Sequence, residues 1–128
     1  MQTDSIAATA AAYTAAWNSG SAEAVASFYA ETGGIVINRG TPGEGRAGVQ
    51  AMAEGVFADV PDLTLTCDGL RIAGDHVVYL WTFTGHHAET RNPLRVTGWE
   101  EWDLDADGKV ATSRGWFDAA EDARQVTG

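Results

Sequence analysis

The chain has 128 residues, 45% hydrophobic and 20% charged, a balance that suits one folded domain over residues 1–128 and excludes a disordered polymer. Its formal net charge is −10, and its one lysine, Lys109, and scattered arginines form no basic run, so nucleic acid is not an expected partner. Cys67 is the one cysteine, which rules out an internal disulfide. With no leader-like pattern in Met1–Ser5 and no stretch near the ~20 apolar residues of a bilayer span, the expectation is a cytoplasmic protein that does not enter membranes.

Ile6, Ala10, Tyr13 and Trp17 recur at helical spacing, so the first element is a helix, with Thr3, Asp4 or Ser5 as its cap and Asn18-Ser19-Gly20 as its stop. Ser21 is placed to cap a second helix from Ala22 to about Tyr29. The β-branched run Ile35-Val36-Ile37 predicts a strand ending at Gly40-Thr41-Pro42-Gly43, and a third helix follows from about Ala47 to Phe57 before Pro61. From Leu63 the period changes to alternation, and Cys67 shares the apolar phase of Leu63 and Leu65. Three or four strands are separated by Ala73-Gly74-Asp75, by 88–93 and by Asp105-Ala106-Asp107-Gly108. Two helices, a strand, a helix and a meander predict an α+β fold, with three helices packed in a strongly curved antiparallel sheet.

Several phrases carry a family resemblance: Tyr13-Thr14-Ala15-Ala16-Trp17-Asn18-Ser19-Gly20, Phe28-Tyr29-Ala30-Glu31, Gly45-Arg46, Trp81-Thr82-Phe83-Thr84-Gly85, Asp107-Gly108-Lys109-Val110 and Gly115-Trp116-Phe117-Asp118. In this order and spacing the chain resembles the SnoaL-like branch of the nuclear transport factor 2-like superfamily, which implies a cystatin-like cone. That superfamily includes ketosteroid isomerases, polyketide cyclases, epoxide hydrolases, dehydratases and proteins that only bind or scaffold. A function must therefore be argued from the site.

Alternation puts Tyr79, Trp81, Phe83, Gly85 and His87 on one face of their strand, and Gly98, Glu100, Trp102 and Leu104 on one face of the next. The resemblance to ketosteroid isomerases selects these faces as the interior. It also implies that Tyr13 stands where those enzymes carry an oxyanion-hole tyrosine, and Glu100 where they carry a protonated aspartic acid. An acid sunk among aromatic residues has its pKa raised by desolvation and can donate a hydrogen bond. The isomerase base would fall at Asn38 or Arg39, neither of which takes a proton from carbon near neutral pH. The arginine–aspartate pair of limonene-type epoxide hydrolases is replaced by Trp81 and Phe83, and Gly115 stands where the cyclases carry an acid/base aspartate. The closing Asp118 reads as structural.

Two readings stand for each polar candidate. Tyr13 and Glu100 form a shared site, or they are a helix anchor and a solvated strand residue. His87 moves protons, or it is a hydrogen-bonded histidine at the mouth of the cone. His86 and His87 point to opposite faces and cannot easily grip one ion, and 105–108 reads as a hairpin turn lacking the later ligands of a calcium loop, so no metal and no cofactor are expected. The expected ligand is a small hydrophobic, oxygen-bearing organic molecule, lined by Trp17, Ile35, Ile37, Arg39, Met52, Trp81, Phe83 and Trp102, with Tyr13, Glu100 and His87 as catalytic candidates. A non-catalytic binding module is the alternative. Leu80, Thr82, Trp99 and Trp116 fall on the outer face of the sheet, where family members pair into homodimers.

Overall fold

A computed structural model describes residues 3–128; Met1 and Gln2, at the head of the segment read above for a leader, lie outside the described residues. Helix α1 (Thr3–Asn18) buries the expected stripe of Ile6, Ala10, Tyr13 and Trp17. Each larger apolar side chain so buried contributes roughly 1.5–3 kcal/mol. Its end is fastened by Asn18, whose amide donates to the Leu65 carbonyl at 2.9 Å and accepts from the Leu65 N–H at 2.6 Å.

Helix α2 (Ala22–Ala26) is shorter than the expected span. Ser21 caps it as anticipated, its Oγ accepting from Ala24 N at 3.1 Å. It ends early because the Phe28 carbonyl accepts from Val110 N at 2.9 Å, which draws the chain into strand β1 (Tyr29–Ile37). Two residues, β2 (Gly43–Glu44), fold back on β1, and α3 (Gly45–Asp59) follows. A Cβ at Gly48 would lie 2.6 Å from the Gly43 carbonyl carbon, so this corner closes only with glycine there.

Strands β3 (Thr64–Ala73), β4 (His76–His86), β5 (Pro93–Leu104) and β6 (Val110–Phe117) form the expected meander. In the six-stranded sheet, ordered β2-β1-β6-β5-β4-β3, every pair is antiparallel except β1 with β6. That parallel pair is fixed at one end by Asn38, whose N–H donates to Gly115 O at 2.8 Å and whose side chain accepts from Phe117 N at 3.0 Å. Register shifts at Cys67/Gly69 and Asp103/Leu104 are the bulges by which long strands bend.

The α+β architecture is the expected one, with two differences: the sheet is mixed, and a fourth helix, α4 (Ala119–Thr127), follows β6. Asp118 caps α4, accepting from Glu121 N at 3.0 Å, which gives that aspartate its structural role. No residue of α4 is fully buried, and apart from its alanines the helix carries one apolar side chain, Val126, so its composition gives little sign of a packed element. Among the described residues, no helix is long and apolar enough to cross a membrane.

Candidate functional site

The inward faces of β4 and β5 are those the alternation gave, and they place a carboxyl deep in the fold. Glu100 is 7% exposed, paired across the sheet with Tyr79 on one side and Gly115 on the other. Its Oε1 accepts from Ser113 Oγ at 2.9 Å, Trp102 Nε1 at 3.0 Å, Tyr13 OH at 3.1 Å and Tyr29 OH at 3.2 Å. Tyr13 OH also reaches Oε2 at 3.1 Å, and the two phenol oxygens are 3.1 Å apart.

Tyr13 is held by its neighbours as well as by its hydroxyl. Its ring meets Trp17, Phe28, Tyr79 and Trp102 edge to face, and Tyr79 stacks on Trp102 with centroids 5.1 Å apart. Thr14 holds the Tyr79 hydroxyl. Side chains so confined keep the donors aimed at one oxygen without reorganisation.

Burial pushes the Glu100 pKa above the ordinary carboxylate range, opposed by hydrogen bonds from Trp102, Ser113, Tyr13 and Tyr29, which favour the anion. Burial, then the charge of Glu100, pushes the Tyr13 and Tyr29 phenols well up, so both stay protonated donors.

Beside Glu100 opens a cavity of about 230 Å3, walled by apolar side chains that include Trp17, Ile35, Ile37, Met52, Trp81 and Phe83. Glu100 and Gly115 line its inner part; Asp59, His87 and Asp122 line it where α3, the β4–β5 connection and α4 converge. The Trp17 indole N–H, in the wall, is buried with no hydrogen-bond partner, although it lies close enough to the Tyr13 hydroxyl to oppose the rise of its pKa.

The sequence-derived candidates thus separate. Tyr13 and Glu100 meet. His87 stands at the mouth, past the end of β4, where His86 pairs with Pro93; seven residues of β5 separate that point from Glu100, on the order of 20 Å. His87 Nδ1 accepts from the backbone N–H groups of Glu89 at 3.3 Å and Thr90 at 3.4 Å, so the neutral ring carries its proton on Nε2. His86 turns the other way, its Nδ1 2.6 Å from Asp62 Oδ2.

Trp102 and Tyr13 do not line the cavity but back the carboxyl that does. Arg39 is outside it: Asn38 and Arg39 are both left-handed, with φ 51° and 60°, so strand alternation fails there and the guanidinium lies 5.5 Å over the Trp116 ring. On the outer face, Trp99 is 40% exposed, whereas Thr82 is buried and donates to Asp68 at 2.5 Å. Tyr29 and Ser113 are site residues that sequence reasoning missed. The signal for Ser113 was register, since it pairs with Trp102 on the inner face, and strand register is not readable from one sequence.

Residues 10–113 match the family model described as a SnoaL-like domain. No curated protein matches the chain. Among solved structures, TsrD from Streptomyces laurentii is 21% identical, with a TM-score of 0.86 over 98% of this chain and 97% of that one. A hypothetical protein with a ketosteroid isomerase-like fold from Catenulispora acidiphila, in complex with trimethylamine, is 19% identical, with a TM-score of 0.85 over 93% and 92%. A SnoaL-like polyketide cyclase from Jannaschia is 16% identical, with a TM-score of 0.80 over 94% and 92%. At such identities the likeness is one of fold.

Proposed function

The chain belongs to the SnoaL-like domain family, and we propose that it binds a small hydrophobic molecule whose carbonyl or hydroxyl oxygen rests against Glu100. One observation carries this reading: an apolar, aromatic-walled cavity has, in its inner part, a carboxyl whose Oε1 is taken up by four protein donors. With Oε1 so occupied, Oε2, reached by Tyr13 alone, is the oxygen left to meet a ligand's oxygen through a proton that burial favours on the acid.

Tyr13 and protonated Glu100 together favour stabilisation of an enolate or alkoxide, the core of a cofactor-free isomerase, cyclase or lyase. Against turnover stands the lack of a base near that oxygen: His87 is at the far end, Arg39 is outside, and Gly115 offers no side chain. Specific binding is therefore the better-supported function, and catalysis the second reading. Trp99, exposed on the outer face, favours a homodimer through the sheet.

The test compares 2-naphthol with 2-methylnaphthalene by calorimetric titration. The oxygen should be worth about tenfold in affinity, and Glu100→Gln, whose amide is a weaker donor than the acid, should lose much of that margin. Equal affinities for the two compounds would remove the role given to Glu100.

A further inference from the structure

The cavity's walls and its charges point to different halves of a ligand. Its ionisable lining groups are Asp59, His87, Glu100 and Asp122; no lysine or arginine lines it, in a chain of net charge −10. The neighbouring cations are spoken for or turned away. Arg124 on α4 pairs with Glu121 at 2.5 Å, while Arg91 and Arg95, on the β4–β5 turn and on β5, are exposed and contribute nothing to the lining.

Asp59, at the end of α3, and Asp122, on α4, therefore share the mouth without a permanent positive partner. Neither side chain makes a salt bridge or hydrogen bond among the described residues. Asp122 is half-buried; burial raises its pKa and so does Asp59, with only His87 opposing them. Two like charges held at one rim by separate elements cost stability, which native chains tolerate where a ligand relieves it. Independently of these acids, the wall between mouth and carboxyl is apolar and aromatic, so a cation held at the rim has no competing positive group along the cavity.

We infer that the occupant is an organic cation: a flat, apolar amine whose protonated nitrogen rests at the mouth between Asp59 and Asp122, with carboxylates and phosphates turned away. Trp17, Trp81 and Phe83 line its path, and aromatic rings attract a cation more than an anion through their quadrupoles. A ligand with an oxygen at Glu100 and a nitrogen at the rim satisfies both ends. The inference rests on the cavity being a ligand site, as proposed above.

Three probes of one skeleton test it: 2-naphthylmethylamine, 2-naphthylmethanol and 2-naphthoate, titrated calorimetrically at neutral pH and low salt. The amine should bind about tenfold tighter than the alcohol, a margin that shrinks as salt screens the exposed rim, and the carboxylate should not bind measurably. The double variant Asp59→Asn/Asp122→Asn should abolish the amine's margin over the alcohol. Equal binding of amine and alcohol, or tighter binding of the carboxylate, would overturn the cationic assignment and leave the cavity reading intact. Failure of all three probes would sink both.

Discussion

The inner end of the cavity and its mouth are built on opposite terms. At the inner end the carboxyl and the phenols are held: Glu100 takes four donors, and Tyr13 is wedged between four rings. At the mouth, α4 buries no residue fully. It is clasped by side chain to backbone: Gln125 accepts from Arg95 N at 2.7 Å and donates to Arg95 O at 3.0 Å, and Asn92 donates to Val126 O at 2.8 Å. The inner end is therefore preorganised, and the mouth holds unneutralised charge on an element that can shift at low cost.

If the inner wall is as tight as this contrast requires, the largest effect belongs to Gly98→Ala. The new Cβ would lie 2.3 Å from the Trp116 carbonyl oxygen and 2.6 Å from the Trp81 ring, and the backbone oxygen cannot step aside. A loss of about 3 kcal/mol or more is expected in urea denaturation; a loss under 1 kcal/mol would mean the wall is looser than described. Ser113→Ala comes next. It removes one donor from Oε1 in a place with no water to replace it, and should cost about 1–2 kcal/mol, more at alkaline pH, where the carboxyl is charged, than at acid pH.

The same contrast can be read in the pH dependence of stability. Because the folded pKa of Glu100 is raised above 4.5, its contribution is complete below that value and is lost as pH rises through the folded pKa. Asp122 acts with the same sign, through burial first, so stability should decline from weakly acid to alkaline pH. Glu100→Gln should remove most of that decline, and Asp122→Asn the smaller remainder. Asp62 has the opposite sign: its hydrogen bonds to His86 hold its pKa below 3.8, and its contribution is lost only as pH falls through that lowered value. A wild-type chain whose denaturation midpoint rises with pH above neutrality would show Glu100 buried as the anion, with its donors outweighing desolvation.

What was legible beforehand follows the same division. Periodicity exposes elements that bury one face, so the stripe of α1 and the alternation of β4 and β5 were readable, whereas the meeting of Tyr13 and Glu100 was implied by the resemblance to ketosteroid isomerases. Tyr29 was read as the end of a helix because its strand conformation is set by a tertiary bond, from Val110 N to the Phe28 carbonyl. Ser113 needed register. Arg39 was expected in the lining beside Ile35 and Ile37, whereas two left-handed residues, Asn38 and Arg39 itself, turn it out of the cavity. Asp59 and Asp122 carried no reading in the sequence, because the helix that bears Asp122 was not expected; only the docking of α4 brings the two acids to one rim.

The smallest structural effect tests the contrast most sharply, because it separates stability from function at one position. A Cβ at Gly115 would meet Ile37 Cγ1 at 3.6 Å, Glu100 Cγ at 3.8 Å and Val36 O at 3.9 Å, all ordinary contacts. Gly115→Ala should therefore stay within about 0.5 kcal/mol of the parent, unlike Gly98→Ala one strand away. The added methyl occupies ligand space beside the carboxyl, so 2-naphthol should bind about tenfold more weakly, in keeping with the leverage of one carbon in a close-fitting apolar pocket. The amine's advantage over the alcohol, set at the mouth, should not move. If the methyl instead left 2-naphthol unaffected, the ligand would lie nearer α4 than Glu100, and the inner end would be a structural brace alone.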